Sequence, residues 1–473
     1  MLIFNYLVKA KMVTRTQRFE DYVSVIAQQL GHADRVEPFR RYCTGLLLPV
    51  ERKSVEPMAA HLAPANVRSE HQRLHHFVAD AAWSDEAVLA AVRAQVLERV
   101  DKRAGAPEVL IIDDTGFPKQ GTHSVGVARQ YCGQLGKQDN CQVAVSVSLA
   151  NEQYSLPVAY RLYLPAGWAE DAARRKKAKV PEAVSFATKP ALAVQLIEQA
   201  REAGELPNTV VADAGYGVDT AFRDRLTEMG FVYVLGVTGA VSLWPEGQAP
   251  LPPKRWSGRG RPSKLLRRDK KHKPLSAKAL ALRLPARRFR TLTWRQGTNQ
   301  ALSSRFAAVR VRCAHRDHWR TQPRPQQWLL IEWPKGEPRP TKYFLSTLPE
   351  DTPLKELVCV AKLRWRIERD YQELKQELGL GHFEGRSWRG FHHHATLCIA
   401  AYGFLFAERL AGLKKTLHHP ILGEIPALPD GFRPRGSPAQ AAPHARLDRH
   451  AATRTRRRAD RTARTMSVLR AKK

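Results

Sequence analysis

The chain has 473 residues, of which 43% are apolar, enough material for more than one hydrophobic core. A formal net charge of +32 and a pI near 10.3 give a strong, salt-dependent attraction for polyanions, although charge alone does not separate a DNA-processing enzyme from a ribosomal or chromatin protein. The longest apolar stretch, Ala395 to Ala407, is too short to cross a bilayer, which excludes a membrane-spanning role and predicts a buried helix there instead.

In chain order, residues 1–17 read as a flexible start. Met1 to Ala10 has no secretory pattern, so a cytoplasmic location is expected. Residues 18–105 are rich in helix formers, with amphipathic segments at Phe19 to Leu30 and Asp85 to Val100. They form either a DNA-end-binding domain or a helical cap on the core. Residues 106–236 contain Val109-Leu110-Ile111-Ile112, a buried strand running into Asp113-Asp114-Thr115-Gly116. A second β-branched run, Thr209 to Ala212, ends at Asp213 and is followed by Ala214-Gly215-Tyr216-Gly217; a further strand is predicted at Gly230 to Gly236.

From 237 to 350 the chain opens with a Pro- and Arg-rich segment. Strand-like runs follow at Arg288 to Trp294, Ser304 to Val311, Trp328 to Trp333 and Tyr343 to Ser346. The opening segment contains Gly258-Arg259-Gly260-Arg261-Pro262 and Lys264. It looks like an AT-hook core, which would lie extended in a narrow minor groove; a basic loop is the plainer alternative. In residues 351–430, Leu363, Ile367, Tyr371, Leu374 and Leu378 recur at helical spacing, while Arg364, Glu368 and Lys375 share another stripe. The tail, 431–473, has 13 Lys/Arg against 2 Asp and is expected to be disordered. The six cysteines, at 43, 132, 141, 313, 359 and 398, lack close-pair spacing, so neither a zinc ribbon nor a disulfide framework is expected.

The acids carry the chemistry. An Asp at a strand end also serves as a helix cap or turn former, and a Glu among arginines as a surface ion pair. Together, two strand-end aspartates and a helical glutamate supply hard oxygen ligands for a pair of Mg²⁺ or Mn²⁺ ions acting on a phosphodiester.

These blocks resemble the DDE transposases of bacterial insertion sequences, in the insertion-sequence-four superfamily. That branch has a Tyr, Arg, Glu and Lys signature in which Arg precedes the catalytic Glu by four and Lys follows it by seven. Arg364, Glu368 and Lys375 match, whereas the Tyr position is Ala361. The likeness spans roughly 35 to 435. The family's first Asp directly precedes a Thr, which selects Asp114 over Asp113; its second maps onto Asp213. Asp114 to Asp213 is 213 − 114 = 99 residues, and Asp213 to Glu368 is 368 − 213 = 155, too long for one crossover. The resemblance therefore implies an α/β, ribonuclease H-like core interrupted by a mainly β insertion domain, with an N-terminal helical domain and a disordered basic tail. A shifted reading of GC-rich codons for 439 to 453 gives a family-like C-terminus, so the tail reads as a frameshift product.

The implied function is metal-dependent DNA cleavage at terminal inverted repeats, followed by joining to target DNA. Asp114, Asp213 and Glu368 would hold two Mg²⁺ or Mn²⁺ ions, and Arg364, Lys375, Arg259, Arg261 and Lys264 would contact DNA. The partners would be double-stranded DNA, a second copy of the chain in the DNA complex, and no membrane. Alternatives are a ribonuclease H-like nuclease without strand transfer and an inactive, transposase-derived DNA-binding regulator.

Overall fold

A computed structural model describes residues 14–297 and 300–416. The tail expected to be disordered and frameshifted, and most of the expected flexible start, lie outside them. Twelve strands join in one mixed sheet: β1 (Val109–Pro118), β2 (Ala128–Cys132), β3 (Lys137–Ala150), β4 (Ser155–Leu162), β5 (Thr209–Ala212), β6 (Val232–Val237), β7 (Ser242–Trp244), β8 (Leu275–Ser276), β9 (Arg290–Gln296), β10 (Ala301–Cys313), β11 (Gln327–Trp333) and β12 (Lys342–Ser346).

The centre of the sheet is the parallel trio β1, β5 and β6, in register from Val109 beside Thr209 and Thr209 beside Val232. Parallel strands bury both faces and so read as continuous apolar runs. Leu110, Ile111, Ile112, Val210, Val211, Val234 and Leu235 are all within 1% of full burial. On the other side of β1 lies β3, antiparallel, and then β4, antiparallel to β3. β3 carries two partners in succession on its outer edge, β2 along its first residues and β4 along its last.

Two details differ from the sequence expectation. β1 does not stop at its acids: it stays paired with β3 through Asp113, Asp114 and on to Pro118, so both carboxylates project from a strand and not from a turn. The β-rich stretch after 237 does not form a separate sheet either. β12 pairs antiparallel with β6, and β11, β10, β7 and β8 extend the sheet from there. The expected strands correspond to β9 through β12, each within a few residues.

Helices cover the sheet. Before β1 come Arg15–Ala27, Val36–Leu47, Val55–Leu62, Val67–Ala79 and Asp85–Ala104. Several pack on the long helix Trp388–Thr416, which is buried without interruption from Phe391 to Phe404. The apolar stretch from Ala395 is thus a core helix, and Gly403 lets it approach Asp85–Ala104: a Cβ there would meet Val96 Cγ2 at 2.9 Å. Its three histidines are interior. His394 joins Tyr42 at 2.9 Å and the Gly379 carbonyl at 2.9 Å, and His392 accepts from the Leu162 N–H at 3.1 Å. Among the described residues, no helix is long and apolar enough to cross a membrane.

Candidate active site

β5 ends at Ala212, and Asp213 is the next residue. It caps the short helix Ala214–Gly217 by accepting the Gly215 N–H at 2.8 Å, which fixes one carboxylate oxygen as short polar caps do. The turn sits against β6 through two glycines: a Cβ on Gly217 would lie 1.9 Å from the Gly236 carbonyl oxygen, and one on Gly236 would lie 2.9 Å from the Ala214 nitrogen. Only side-chain-free residues permit that approach. Asp213 is held at the end of the parallel strands by this fit.

Successive strand residues point to opposite faces, and Asp113 and Asp114 do so here. Asp113 Oδ2 accepts from Arg364 Nη1 at 2.7 Å; Asp114 Oδ2 accepts from Lys189 Nζ at 2.8 Å, at the start of the helix Lys189–Glu202. Arg364 immediately precedes the helix Trp365–Gln376 and also donates through Nη2 to Glu368 Oε1 at 2.5 Å. One guanidinium therefore bridges Asp113 and Glu368.

The electrostatics identify the third member. Burial pushes the Asp113 carboxyl up to about 7; Arg364 opposes this, and the charges of Asp213 and Asp114 add to it. Burial works against the charge on Arg364, but Asp113, Glu368 and Asp213 together hold its proton affinity above the ordinary value. Asp113, Asp114, Asp213, Arg364 and Glu368 thus form one electrostatic unit. Among the described residues, no group of three or more His, Cys, Asp or Glu side chains surrounds a common point as metal ligands would; Glu368 is engaged by Arg364. The donor set still suits a hard divalent cation. It is all carboxylate oxygen, the ligand type such ions take.

Of the residues selected from sequence, the fold brings Asp213, Glu368 and Arg364 together and sets Asp114 against Lys189. The acid sharing Arg364 with Glu368 is Asp113, chosen by the pleat of β1; a motif that prefers the residue before Thr115 carries no such signal. Lys375 donates from Nζ to the Gly116 carbonyl at 2.7 Å and to Gln134 Oε1 at 3.2 Å, and burial brings its ammonium down to about 8. Tyr371, one turn beyond Glu368, is buried, and burial raises its phenol above the ordinary value, with Asp113 adding to the effect.

Arg259, Arg261 and Lys264 are exposed in the loop between β7 and β8. Their segment is not extended. Gly258 and Gly260 take φ of 88° and 73°, and the Trp256 indole N–H closes the turn onto the Gly260 carbonyl at 3.0 Å.

An α/β protein with an acidic site where adjacent parallel strands end is what the fold and these residues define. The chain belongs to the DDE superfamily endonucleases, whose family model matches residues 25–301. That match includes both aspartate-bearing strands and ends before Glu368. The chain is also 31% identical over 202 residues to a probable transposase for insertion sequence element IS701 from Microchaete diplosiphon, covering 42% of this chain and 48% of that protein. It therefore spans about half the length of the curated relative it matches. The NurA nuclease from Sulfolobus solfataricus aligns over 70% of this chain and 93% of its own at 9% identity, with a TM-score of 0.24.

Proposed function

We propose that the chain is an insertion-sequence transposase that cleaves phosphodiesters at the ends of its element and joins them to target DNA. The strand order β4, β3, β1, β5, β6, with β3 antiparallel and β5 and β6 parallel to β1, supports a ribonuclease H-like core. One observation carries the functional reading: Asp113 and Glu368 share Arg364 beside Asp213, at the carboxyl ends of parallel strands, where ligands of open α/β sheets bind.

Asp113, Asp213 and Glu368 are the residues that would hold metal in this reading, with Asp114 alongside, tied to Lys189. Bound there, two Mg²⁺ or Mn²⁺ ions would activate the attacking oxygen and stabilise the leaving one. Arg364 balances the acids in the protein alone; its five N–H donors in a fixed fork also suit a phosphate once Asp113 and Glu368 are otherwise engaged. Lys375, whose partners are a carbonyl and an amide, retains a charge to give a phosphate. Arg259, Arg261 and Lys264 on the exposed loop supply sequence-independent attraction to the backbone.

The test is a supercoiled plasmid carrying the DNA that flanks the coding sequence, incubated with protein and Mg²⁺. Nicking at the element ends with covalent joining to a second duplex supports the transposase. Nicking without joining reduces the reading to a nuclease, and end binding without nicking to a regulator.

A further inference from the structure

Trp365 opens the helix that carries Glu368, and two guanidiniums lie over its indole. Arg295, on β9, has its Cζ 3.6 Å from the ring centroid; Arg366, the next residue in the helix, has its Cζ 4.4 Å away. The two cannot be further apart than the sum of those distances, whichever faces they occupy. An aromatic face attracts a cation, but two cations on one ring also repel each other.

The missing element is an anion. Arg364 is paired with Asp113 and Glu368, and Arg369 with Glu373 at 3.1 Å. Among the described residues, Arg295 and Arg366 have no ion pair and no side-chain hydrogen bond, and Arg366 Nε is buried without a partner. The acid that acts most on Arg366 is Asp370. Its carboxylate accepts from Tyr402 at 2.8 Å through one oxygen and from Ser155 through the other. Both oxygens are thus engaged elsewhere, and Asp370 forms no ion pair with Arg366. A buried, unsatisfied guanidinium N–H calls for a partner, and no acid of the described chain supplies one.

We propose that Arg295 and Arg366 together bind one DNA phosphate at the edge of Trp365, a clamp that joins β9 to the glutamate-bearing helix. The guanidinium fork matches a phosphodiester, and one shared anion removes the repulsion between the two cations. Trp365 and Glu368 are three residues apart and so neighbours on the helix surface; a phosphate held there lies within a turn of the proposed catalytic acid. The clamp rests on the reading of this chain as a DNA-cleaving enzyme and adds a contact between core and β-rich segment that positions the strand.

The experiment measures duplex DNA affinity against salt for the full chain and for Arg295→Ala, Arg366→Ala and the double variant, with thermal melting of each as a folding control. Each single change is expected to reduce the slope of log affinity against log salt by about one, and the double variant by about one as well, because both residues serve one phosphate. Wild-type slopes in the single variants, or a loss of about two in the double, overturn the clamp. Arg295→Ala leaves the helix untouched and decides the matter if Arg366→Ala does not fold. If the unaltered chain neither binds nor nicks the flanking DNA, the functional reading fails separately. Inorganic phosphate is then the probe: a rise in melting temperature that both variants lose supports the anion site, and the same rise in the variants overturns it.

Discussion

Arg364 Nη1 lies 2.7 Å from Asp113 Oδ2, across 251 residues of sequence, and its other terminal nitrogen reaches Glu368. This contact ties the helix Trp365–Gln376 to the middle of β1 and makes Asp113, and not Asp114, the acid that shares Arg364 with Glu368.

Asp113→Asn is expected to abolish Mg²⁺-dependent nicking while leaving duplex affinity near wild type, because affinity comes chiefly from Lys and Arg. Asp114→Asn, which loses its bond to Lys189, should retain measurable nicking. Asp213→Asn and Glu368→Gln should behave like Asp113→Asn. Gel assays of nicking and binding on one labelled duplex check all four; full activity of Asp113→Asn would remove it from the site.

The pH dependence follows from the carboxyl raised to about 7. The folded chain holds this proton where an unfolded Asp, with a pKa near 3.9, has lost it, so metal-free stability falls as pH rises from about 4 to about 7. Asp113→Asn, fixed in a neutral form, should melt close to wild type near pH 4 and increasingly above wild type as pH rises to 8. Nicking at subsaturating Mg²⁺ should rise with pH through about 7, and saturating Mg²⁺ should move that limb to lower pH as metal displaces the proton. A melting difference that does not vary with pH would contradict the assignment.

Gly217→Ala places a methyl group 1.9 Å from the Gly236 carbonyl oxygen. Backbone must then move, at an expected cost of about 1–3 kcal/mol, and the displaced turn carries Asp213. Urea denaturation should show the loss, and nicking should fall more than DNA binding.

Lys375→Ala removes a cation that no carboxylate pairs among the described residues. As a phosphate contact it should lower the salt slope of DNA binding by about one; as a tether to Gly116 alone it would cost about 1–3 kcal/mol of stability and leave the slope unchanged. Binding isotherms at three salt concentrations, with melting curves, separate the two roles.

The run Val109 to Ile112, the run Thr209 to Ala212 and the strands from β9 to β12 were legible in sequence because burial on a sheet demands continuous or alternating apolar residues, which is local information. So were Glu368 with Arg364 four residues before it, since helical periodicity places them on one face, and the net charge that favours a polyanion. Tertiary structure alone decided the rest. Which of two adjacent aspartates shares Arg364 with the glutamate depends on the phase of the β1 pleat relative to helices far along the chain, which the motif favouring the residue before Thr115 does not carry. That β12 pairs with β6 and continues the core sheet is a choice of edge, made by hydrogen bonds between segments that share no local pattern. The Arg295 and Arg366 pair on Trp365 is equally nonlocal: a strand and a helix some seventy residues apart in sequence bring two cations to one ring, and only their packing shows that the chain supplies no anion between them.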